Sequence, residues 1–256
     1  MANLNVCIAG ATGWTGSALV QGVLDAPDLE LRSAVSRSAA GSEIGGAPVH
    51  ATVAEALDGV DVVIDFTSHA IVKANALTAI GAGVAVVIGT SGLTAEDFEE
   101  IDAAARERGV GVVASGNFSL TAAMAQAAAL LAARHLPHWE VIDYASAAKP
   151  DVPSGTAREL AERLGESRIG VPVDRLHGPR EARGADVGGT QVHSLRLPSF
   201  TVSTEVVFGL PDERLTIRHD AGSSAEPYVG GTLLAARRAP ELTGLTRGLD
   251  TLLLSS

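Results

Sequence analysis

The fold is decided near the start of the chain by the stretch Val6-Cys7-Ile8-Ala9-Gly10-Ala11-Thr12-Gly13-Trp14-Thr15-Gly16. The apolar run that enters it has the length of one buried strand, and the residues that follow it are typical of a helix. Gly10 permits a tight turn, Gly13 lets the backbone approach a pyrophosphate, and Gly16 lets the helix pack close to the strand. The positive end of the helix dipole favours the same anion. The stretch therefore predicts a dinucleotide-binding turn, and the alternative is a strand–helix turn without a ligand.

More apolar segments of strand length follow, and helical segments separate them: Leu29–Val35, Val60–Asp65, Val84–Ile88 and Val110–Ala114. The apolar character of Val60–Asp65, repeated in Val84–Ile88, is typical of strands buried on both faces of a parallel sheet. Alternating strands and helices predict an α/β fold with a doubly wound, Rossmann-type sheet.

The segment Ser36-Arg37-Ser38 follows the second strand and bears on the choice of cofactor. A site selective for NAD usually places Asp or Glu here, whereas an arginine can meet a 2′-phosphate. Arg37 beside two hydroxyl groups therefore favours NADPH over NADH, although NADH stays possible and Arg37 has an ordinary reading as a loop cation.

Polar and glycine residues stand at the carboxyl ends of the later strands, where open α/β sheets bind ligands. We expect the nicotinamide end of the cofactor to meet Asp65, Phe66, Thr67, Gly89, Thr90, Asn117 and Phe118, while Gly10, Thr12, Gly13, Trp14, Thr15, Gly16 and Arg37 hold its pyrophosphate and adenosine end.

The pattern changes after the alanine-rich helix predicted over Leu120–His135. Strands are predicted over Trp139–Tyr144, Thr190–Leu197, Thr201–Phe208 and Glu213–Asp220, with a helix over Thr156–Leu164 and a polar stretch over Gly165–Gly189. Short connections imply a mixed or antiparallel sheet. We therefore predict a dinucleotide-binding domain of residues 1–116 and 221–256 and an α+β substrate domain of residues 117–220. Helices predicted over Tyr228–Arg238 and Leu242–Leu254 return to the first domain.

A second candidate site lies in Lys149-Pro150-Asp151-Val152-Pro153-Ser154-Gly155-Thr156-Ala157. Thr156 and Glu159 fit a capping box. The N–H groups of Ser154, Gly155 and Thr156 form an anion nest at a helix start, to which Lys149 adds a charge. The segment predicts a clamp for a small carboxylate, and its alternative is a well-capped helix after a proline-rich loop.

Composition narrows the classes of partner. A net charge of −11 and an aromatic content of 4% argue against nucleic acid. No apolar run approaches the ~20 residues that span a bilayer, so no membrane partner is expected. The start lacks the basic region of a signal peptide, and the single cysteine cannot form an internal disulfide, which predicts a cytoplasmic protein. The seven histidines show no metal-ligand spacing apart from His135 and His138, which we expect at the surface.

Taken in order, these motifs resemble the dihydrodipicolinate (4-hydroxy-tetrahydrodipicolinate) reductase family. The resemblance is carried by Ala9–Gly16, Asp65–Thr67, Gly89–Gly92, Gly116–Ser119, Lys149–Ala157 and His193–Pro198, and it extends through Glu205–Gly209 and Leu215–Asp220. Lys149–Ala157 is the specific part. The resemblance implies a Rossmann domain closed by the C-terminal helices, a mixed-sheet domain, a homotetramer joined through those sheets, and a nicotinamide-dependent reduction in lysine biosynthesis.

One departure bears directly on function. The family normally reads E-x-H-H-x-x-K before the D-x-P-S-G-T-A segment, and its first histidine is thought to supply a proton while its second helps to bind substrate. Here the stretch is Asp143-Tyr144-Ala145-Ser146-Ala147-Ala148-Lys149. General acid catalysis is worth roughly 10²–10⁴-fold in rate, so the usual reaction should be slow unless another group substitutes.

The clamp retained beside two missing histidines predicts an NAD(P)H-dependent reductase with a shifted substrate, a small and cyclic imine or unsaturated imine carboxylate. Lys149 is the expected proton donor, with water as an alternative, and the substrate ligands are Lys149, Ser154, Gly155, Thr156 and Ser146. Three other readings stay open: the lysine-pathway enzyme itself, a non-catalytic nucleotide-binding protein, and a redox-neutral enzyme with tightly held NAD.

Overall fold

A computed structural model describes residues 3–166 and 179–254 of the chain. The chain divides into two compact units, Met1–Leu120 with Ala225–Ser256 and Thr121–Ser224. The sequence predicts junctions after residues 116 and 220, and the junctions of the two units fall after residues 120 and 224. Much of the polar stretch predicted over Gly165–Gly189 lies outside the described residues.

The first unit is built on one eight-stranded sheet. Its strands are β1 (Leu4–Ala9), β2 (Leu29–Val35), β3 (Glu43–Ile44), β4 (Ala47–His50), β5 (Val62–Asp65), β6 (Ala85–Ile88), β7 (Gly111–Ala114) and the last strand of the chain, β13 (Gly244–Arg247). Their order is β13-β7-β6-β5-β1-β2-β4-β3, and every pairing is parallel except that of β3 with β4. The predicted doubly wound parallel sheet is confirmed.

The strands at the centre of this sheet are almost wholly apolar and buried. Residues Val6 to Ala9 of β1 and Val62 to Ile64 of β5 are at most 1% exposed. The helices of the first unit are α1 (Trp14–Asp25), α2 (Val72–Gly81), α3 (Ala95–Arg108), α6 (Glu226–Arg238) and α7 (Leu249–Leu254). The short hairpin of β3 and β4 has no counterpart among the predicted strands.

The helix predicted over Leu242–Leu254 is wrong in its first half. Gly244 and Gly248 have φ angles of +83° and +84°, a backbone conformation that interrupts a right-handed helix. The residues from Gly244 to Arg247 instead form β13, which pairs in parallel with β7. Only Leu249–Leu254 is helical.

The second unit contains a five-stranded sheet and two long helices. Its elements are α4 (Leu120–Ala133), which starts at the last residue of the first unit, β8 (Trp139–Ala145), α5 (Gly155–Glu166), β9 (Ala185–Val187), β10 (Thr190–Arg196), β11 (Val202–Leu210) and β12 (Glu213–Ala221). The strand order is β12-β11-β8-β10-β9, and only β8 and β10 run parallel. The predicted mixed sheet is confirmed.

One face of this second sheet carries the core of the unit. Val141 of β8, Val192 of β10, and Val206 and Phe208 of β11 pack with α4 and α5 through Ala129, Ala133, Ala157, Leu160, Ala161 and Leu164. Because side chains alternate along a strand, Asp143 and Ala145 lie on this same face, while Tyr144 lies on the opposite one.

Candidate functional site

The turn after β1 packs so closely that a side chain at Gly10 or Gly16 would clash with backbone atoms. Gly10 has a φ of +87°, and a Cβ atom there would lie 2.4 Å from the Phe66 carbonyl oxygen. A Cβ atom on Gly16 would lie 2.0 Å from the Gly10 carbonyl oxygen. Both positions therefore require glycine, and the turn brings the backbone after β1 against the backbone after β5.

The start of α1 is left open toward an anion. Gly13 is its N-cap residue, and neither a side-chain cap nor an acidic residue occupies the first turn. The predicted Thr12 and Trp14 are exposed, and Thr15 is half-buried. The ring of Trp14 meets that of Tyr228 edge to face, with centroids 5.9 Å apart. Uncapped N–H groups at a helix start fit a phosphate group of a dinucleotide.

A cavity of about 520 Å³ extends from this turn along the carboxyl ends of β2 and β5. Its lining includes Gly10, Thr12, Gly13, Ser36, Arg37, Ser38, Phe66, Thr67 and Asn75, and none of the described residues that line it is Asp or Glu. The Thr12 and Ser36 hydroxyl groups lie 2.8 Å apart, and those of Ser36 and Ser38 lie 3.2 Å apart. These hydroxyls and the Arg37 guanidinium are polar groups that can hydrogen-bond to the ribose part of a dinucleotide.

Asp65 is the last residue of β5 and is fully buried, and its carboxylate accepts hydrogen bonds from neighbouring side chains. Oδ1 accepts hydrogen bonds from the Thr67 hydroxyl at 2.6 Å and the Thr90 hydroxyl at 2.9 Å. Oδ2 accepts one from the Asn75 amide at 2.8 Å. Thr67 therefore bonds to Asp65 instead of capping α2, which starts at Val72 without a side-chain cap. The arrangement makes Asp65 a support for the loops after β5 and β6.

Phe66 takes the space that Gly89 leaves. A Cβ atom on Gly89 would lie 2.1 Å from Cζ of the Phe66 ring, whose centroid is 5.9 Å from that of Phe118. Asn117 and Phe118 are buried, and Asn117 Oδ1 accepts a hydrogen bond from Ser119 N at 2.8 Å. The glycine after β6 thus admits an aromatic ring of the chain itself, which differs from the expected approach of a nicotinamide ring.

The second candidate site is the loop from Lys149 to the start of α5. Lys149 Nζ lies 2.9 Å from Asp151 Oδ1, and Gly155 N donates to Asp151 Oδ2 at 3.3 Å. The Lys149 and Asp151 side chains are each 29% exposed. The Lys149 ammonium and the Gly155 N–H, both predicted as ligands of a carboxylate, therefore contact the same carboxylate group.

Ser154 faces away from that position, toward β8. Its N–H and its hydroxyl donate to the Asp143 carboxylate at 2.9 and 2.6 Å, and Asp143 is fully buried. Asp143 also accepts from the Ser194 hydroxyl at 3.1 Å and Arg196 Nη2 at 2.9 Å. Ser154 is therefore committed to holding the loop on the sheet.

The predicted capping box of Thr156 and Glu159 is not the one that forms. The Ser154 hydroxyl accepts from Ala157 N at 3.3 Å, which makes Ser154 the residue that caps α5. Glu159 Oε1 instead accepts from the Gln126 amide of α4 at 2.8 Å.

The segment that departs from the family pattern ends β8. Ala145 is fully buried, and the half-buried Ser146 accepts a hydrogen bond from Ala148 N at 3.3 Å. Tyr144 lies on the opposite face, where its hydroxyl donates to Glu205 at 3.2 Å and Arg218 covers its ring at 4.7 Å. Burial and the Glu205 charge raise the pKa of Tyr144. Tyr144 and Asp143 therefore lie on opposite faces of the sheet, and it is Asp143 that holds the loop containing Lys149.

Three contributors to these sites escaped the sequence reasoning: Asn75, Asp143 and Arg196. Arg196 lies within the His193–Pro198 motif, so the sequence offered a signal for it. Asp143 lies in the segment before Lys149, but the sequence alone does not show that Ser154 and Arg196 are its hydrogen-bond partners. Asn75 has no signal in one sequence. Within residues 3–166 and 179–254, no group of three or more His, Cys, Asp or Glu is placed to hold a metal ion. None of the helices in those ranges has the length and hydrophobicity needed to cross a bilayer.

Comparison with known proteins bears on both units. Residues 4–118 match the family model described as dihydrodipicolinate reductase, N-terminus, and residues 116–253 match dihydrodipicolinate reductase, C-terminus. The chain is 37% identical to 4-hydroxy-tetrahydrodipicolinate reductase of Moorella thermoacetica, with 99% of each chain covered. It is 36% identical to the enzyme of that name from Desulfitobacterium hafniense, with 99% of this chain and all of the relative covered.

Among solved structures, the chain resembles dipicolinate-bound dihydrodipicolinate reductase from Paenisporosarcina sp. TG-14. The TM-score is 0.77 and the identity 26%, with 98% of this chain and 99% of the other covered. GenD2 from gentamicin A biosynthesis, in complex with NAD, shares the fold with a TM-score of 0.68 at 18% identity, and covers 98% of this chain and 90% of its own.

Proposed function

Because the chain belongs to the dihydrodipicolinate reductase family, an oxidoreductase family, we propose that it reduces 4-hydroxy-tetrahydrodipicolinate with NADPH. The observation that carries the proposal is the retained Lys149–Thr156 loop, in which Lys149 Nζ and Gly155 N are aimed at one carboxylate position. Relatives at 36–37% identity over the whole length of the chain carry the name of this reductase.

The glycine turn fits the cofactor that such a reduction needs. Glycine at positions 10 and 16 lets the backbone of the turn pack closely on itself and on the Phe66 carbonyl, and the uncapped start of α1 leaves N–H donors for a pyrophosphate. Gly13, Thr12, Trp14 and Thr15 complete this part of the proposed site, and Arg37 would hold the 2′-phosphate. The bound cofactor would supply a hydride. Thr67, Thr90, Asn117 and the Phe66–Gly89 contact would hold the nicotinamide end of the cofactor. Asp65 would position Thr67 and Thr90 through its hydrogen bonds to their hydroxyl groups.

The residues of the second unit would bind the acid and complete the reduction. Lys149, Gly155 and Thr156 would hold a substrate carboxylate, with Ser146 beside them, while Ser154 keeps the loop in place through Asp143. Reduction of the unsaturated bond takes one hydride and one proton. We propose that the Lys149 ammonium supplies the proton and is reprotonated from solvent, because neither Ala145 nor Ser146 has an acid to offer.

Ala145 and Ser146 favour a second candidate, which is the reduction of a different small imine carboxylate. An imine that arrives protonated needs no acid from the protein, so the loss of both family histidines would matter little for it. The clamp would serve such a substrate unchanged. The two candidates therefore share the cofactor and the loop and differ in the acceptor.

We further propose that the protein is a homotetramer joined through the second sheet. Hydrophobic Ile142 and Val207 lie half-buried on the face of that sheet opposite its core, beside a cavity lined also by Trp139. Sedimentation equilibrium measures the mass, and a monomer at micromolar concentration would refute the assembly. The cytoplasmic location stays a prediction.

The reaction is tested by mixing the purified protein with NADPH or NADH and freshly prepared 4-hydroxy-tetrahydrodipicolinate, and following the reduced-nicotinamide absorbance. We expect loss of absorbance that depends on the acid. Cofactor binding without any such loss would refute the first candidate, and the same assay with other cyclic imine carboxylates would then test the second. Binding without turnover of any of them would indicate a non-catalytic protein.

A further inference from the structure

We infer that the Asp151 side chain is an internal competitor for the substrate carboxylate, so that this residue sets how tightly acids bind. The inference rests on the proposed function, because it takes Lys149, Gly155 and Thr156 as the carboxylate ligands. It adds a role in substrate affinity for a residue that the proposed reaction does not otherwise use.

The geometry is that of a carboxylate bound in the clamp. Asp151 Oδ1 lies 2.9 Å from Lys149 Nζ, and Oδ2 accepts from Gly155 N at 3.3 Å. The two oxygens of one carboxylate are thus shared between a cation and an N–H at a helix start. These are the two kinds of donor that a carboxylate ligand would use.

A substrate carboxylate and the Asp151 carboxylate cannot both take these donors. The Gly155 N–H offers one hydrogen, and two carboxylates brought together at one ammonium repel each other. Binding of an acid therefore requires the Asp151 side chain to leave, and the cost of that step weakens the apparent affinity.

The loop is arranged so that the Asp151 side chain can leave without loss of the main-chain structure. The Asp151 carbonyl accepts a 2.7 Å hydrogen bond from Arg196 Nη2, which anchors the backbone. Ser154 is held separately, by bonds of 2.6 and 2.9 Å to buried Asp143. By contrast, the Asp151 side chain is 29% exposed and its bond to Gly155 is long, so water can replace these contacts.

The cost of moving the Asp151 side chain is the same for every acid that takes its place. A ligand with one carboxylate replaces one carboxylate by another and gains little. A ligand with a second anionic group adds the benefit of that second contact. Asp151 is therefore expected to lower the affinity for monocarboxylates and dicarboxylates by a similar factor, and the second contact of a dicarboxylate is what leaves a net gain.

The test is calorimetric binding of pyridine-2,6-dicarboxylate and pyridine-2-carboxylate to the full chain with oxidised NADP present. Asp151→Asn removes the charge at nearly constant shape, and Asp151→Ala removes the group. We expect both variants to bind the dicarboxylate about threefold to tenfold more tightly than the wild type. The monocarboxylate should gain by a similar factor, because either acid displaces the Asp151 side chain once.

Asp186→Asn is the matched control. Asp186 is an exposed carboxylate of the same unit whose Oδ1 accepts from Gly189 N at 2.8 Å, so the variant makes the same change of charge at a similar contact away from the clamp. Its affinity should equal that of the wild type. Thermal unfolding of each variant shows whether it is folded.

The outcomes separate this inference from the proposed function. Equal or weaker dicarboxylate binding by folded Asp151→Asn and Asp151→Ala overturns the inference, and Asp151 then serves to position Lys149. Tighter binding with no turnover of any imine acid supports the inference and refutes the reaction. Absence of binding by the wild type and both variants overturns the inference and the proposed clamp together.

Discussion

The hydroxyl of Ser154 donates a 2.6 Å hydrogen bond to the carboxylate of Asp143, which is fully buried on the core face of the second sheet. The Ser154 N–H adds a second bond at 2.9 Å to the other oxygen. Together they fix the first turn of α5 to β8. The N–H groups that follow Ser154 thereby gain a defined direction before any acid binds.

Asp143→Asn is expected to destabilise the protein by about 2–4 kcal/mol, because it leaves the mostly buried Arg196 guanidinium without its charged partner and loses hydrogen bonds to a charged acceptor. Urea unfolding followed by circular dichroism measures the free energy of unfolding. Asp186→Asn, an exposed carboxylate, should change it by less than about 0.5 kcal/mol. An equal effect of both variants would contradict the role assigned to Asp143.

Gly16→Ala is expected to weaken NADPH binding by about tenfold or more, because the new Cβ atom would lie 2.0 Å from the Gly10 carbonyl oxygen and force the turn apart. Fluorescence titration gives the dissociation constant. Gly230→Ala in α6 is the control, since a Cβ atom there meets nothing within 4 Å and alanine favours a helix. Retention of wild-type affinity by Gly16→Ala would refute the phosphate-binding turn.

Arg37→Ala is expected to raise the KM for NADPH by about tenfold and to leave the KM for NADH within about twofold, as a lost charged hydrogen bond to a phosphate would. Steady-state rates with each cofactor measure both constants. Exposed Arg134→Ala, in the second unit, controls for net charge. A parallel rise for both cofactors would show that Arg37 does not read the 2′-phosphate.

Lys149→Met is expected to lower kcat/KM by about 10²–10⁴-fold, since it removes both a carboxylate ligand and the proposed acid. Lys149→Arg keeps the positive charge and should recover KM more than kcat. The other lysine of the chain, Lys73, pairs with Asp97 and Glu100 on α3, and Lys73→Met should leave the rate unchanged. A full recovery of kcat by arginine would exclude Lys149 as the proton donor.

Cys7 provides a probe of the central sheet. Burial within β1 raises the pKa of its thiol to about 11, so the native protein holds it as an unreactive thiol at pH 8. An aromatic disulfide reagent should therefore label no thiol in the native protein and one per chain in denaturant. Rapid labelling of the folded protein would mean that β1 opens readily.

Much of the architecture could be predicted because its signals are local. Apolar runs of strand length define β1, β5, β6 and β7, and the glycine spacing at 10, 13 and 16 marks the first turn. The alternation of polar and apolar residues likewise marks β12. The failure over Leu242–Leu254 has a local cause too, since the positive φ angles of Gly244 and Gly248 interrupt a right-handed helix on both sides of this short run.

The arrangement of the candidate sites could be predicted only in part, because their supports come from distant parts of the chain. Asp65 meets Asn75 and Thr90, and Asp143 meets Arg196 fifty-three residues later. The sequence pattern identified Lys149 and Ser154 and predicted that both bind the substrate carboxylate, whereas Ser154 is hydrogen-bonded to Asp143. The buried carboxylate that claims Ser154 could be recognised only from strand register.

Pairing of β13 with β7 has a consequence for how the protein is made. The edge of β7 stays unpaired until residues Gly244–Arg247, more than a hundred and thirty positions downstream, have been synthesised, so the nascent chain exposes an open strand edge during that interval. The second unit emerges and can collapse in that interval. A chain truncated just before residue 244 would therefore keep every residue of the glycine turn but leave the edge of β7 unpaired. Such an edge can pair with other chains, which makes the truncated protein a target for chaperones and proteases.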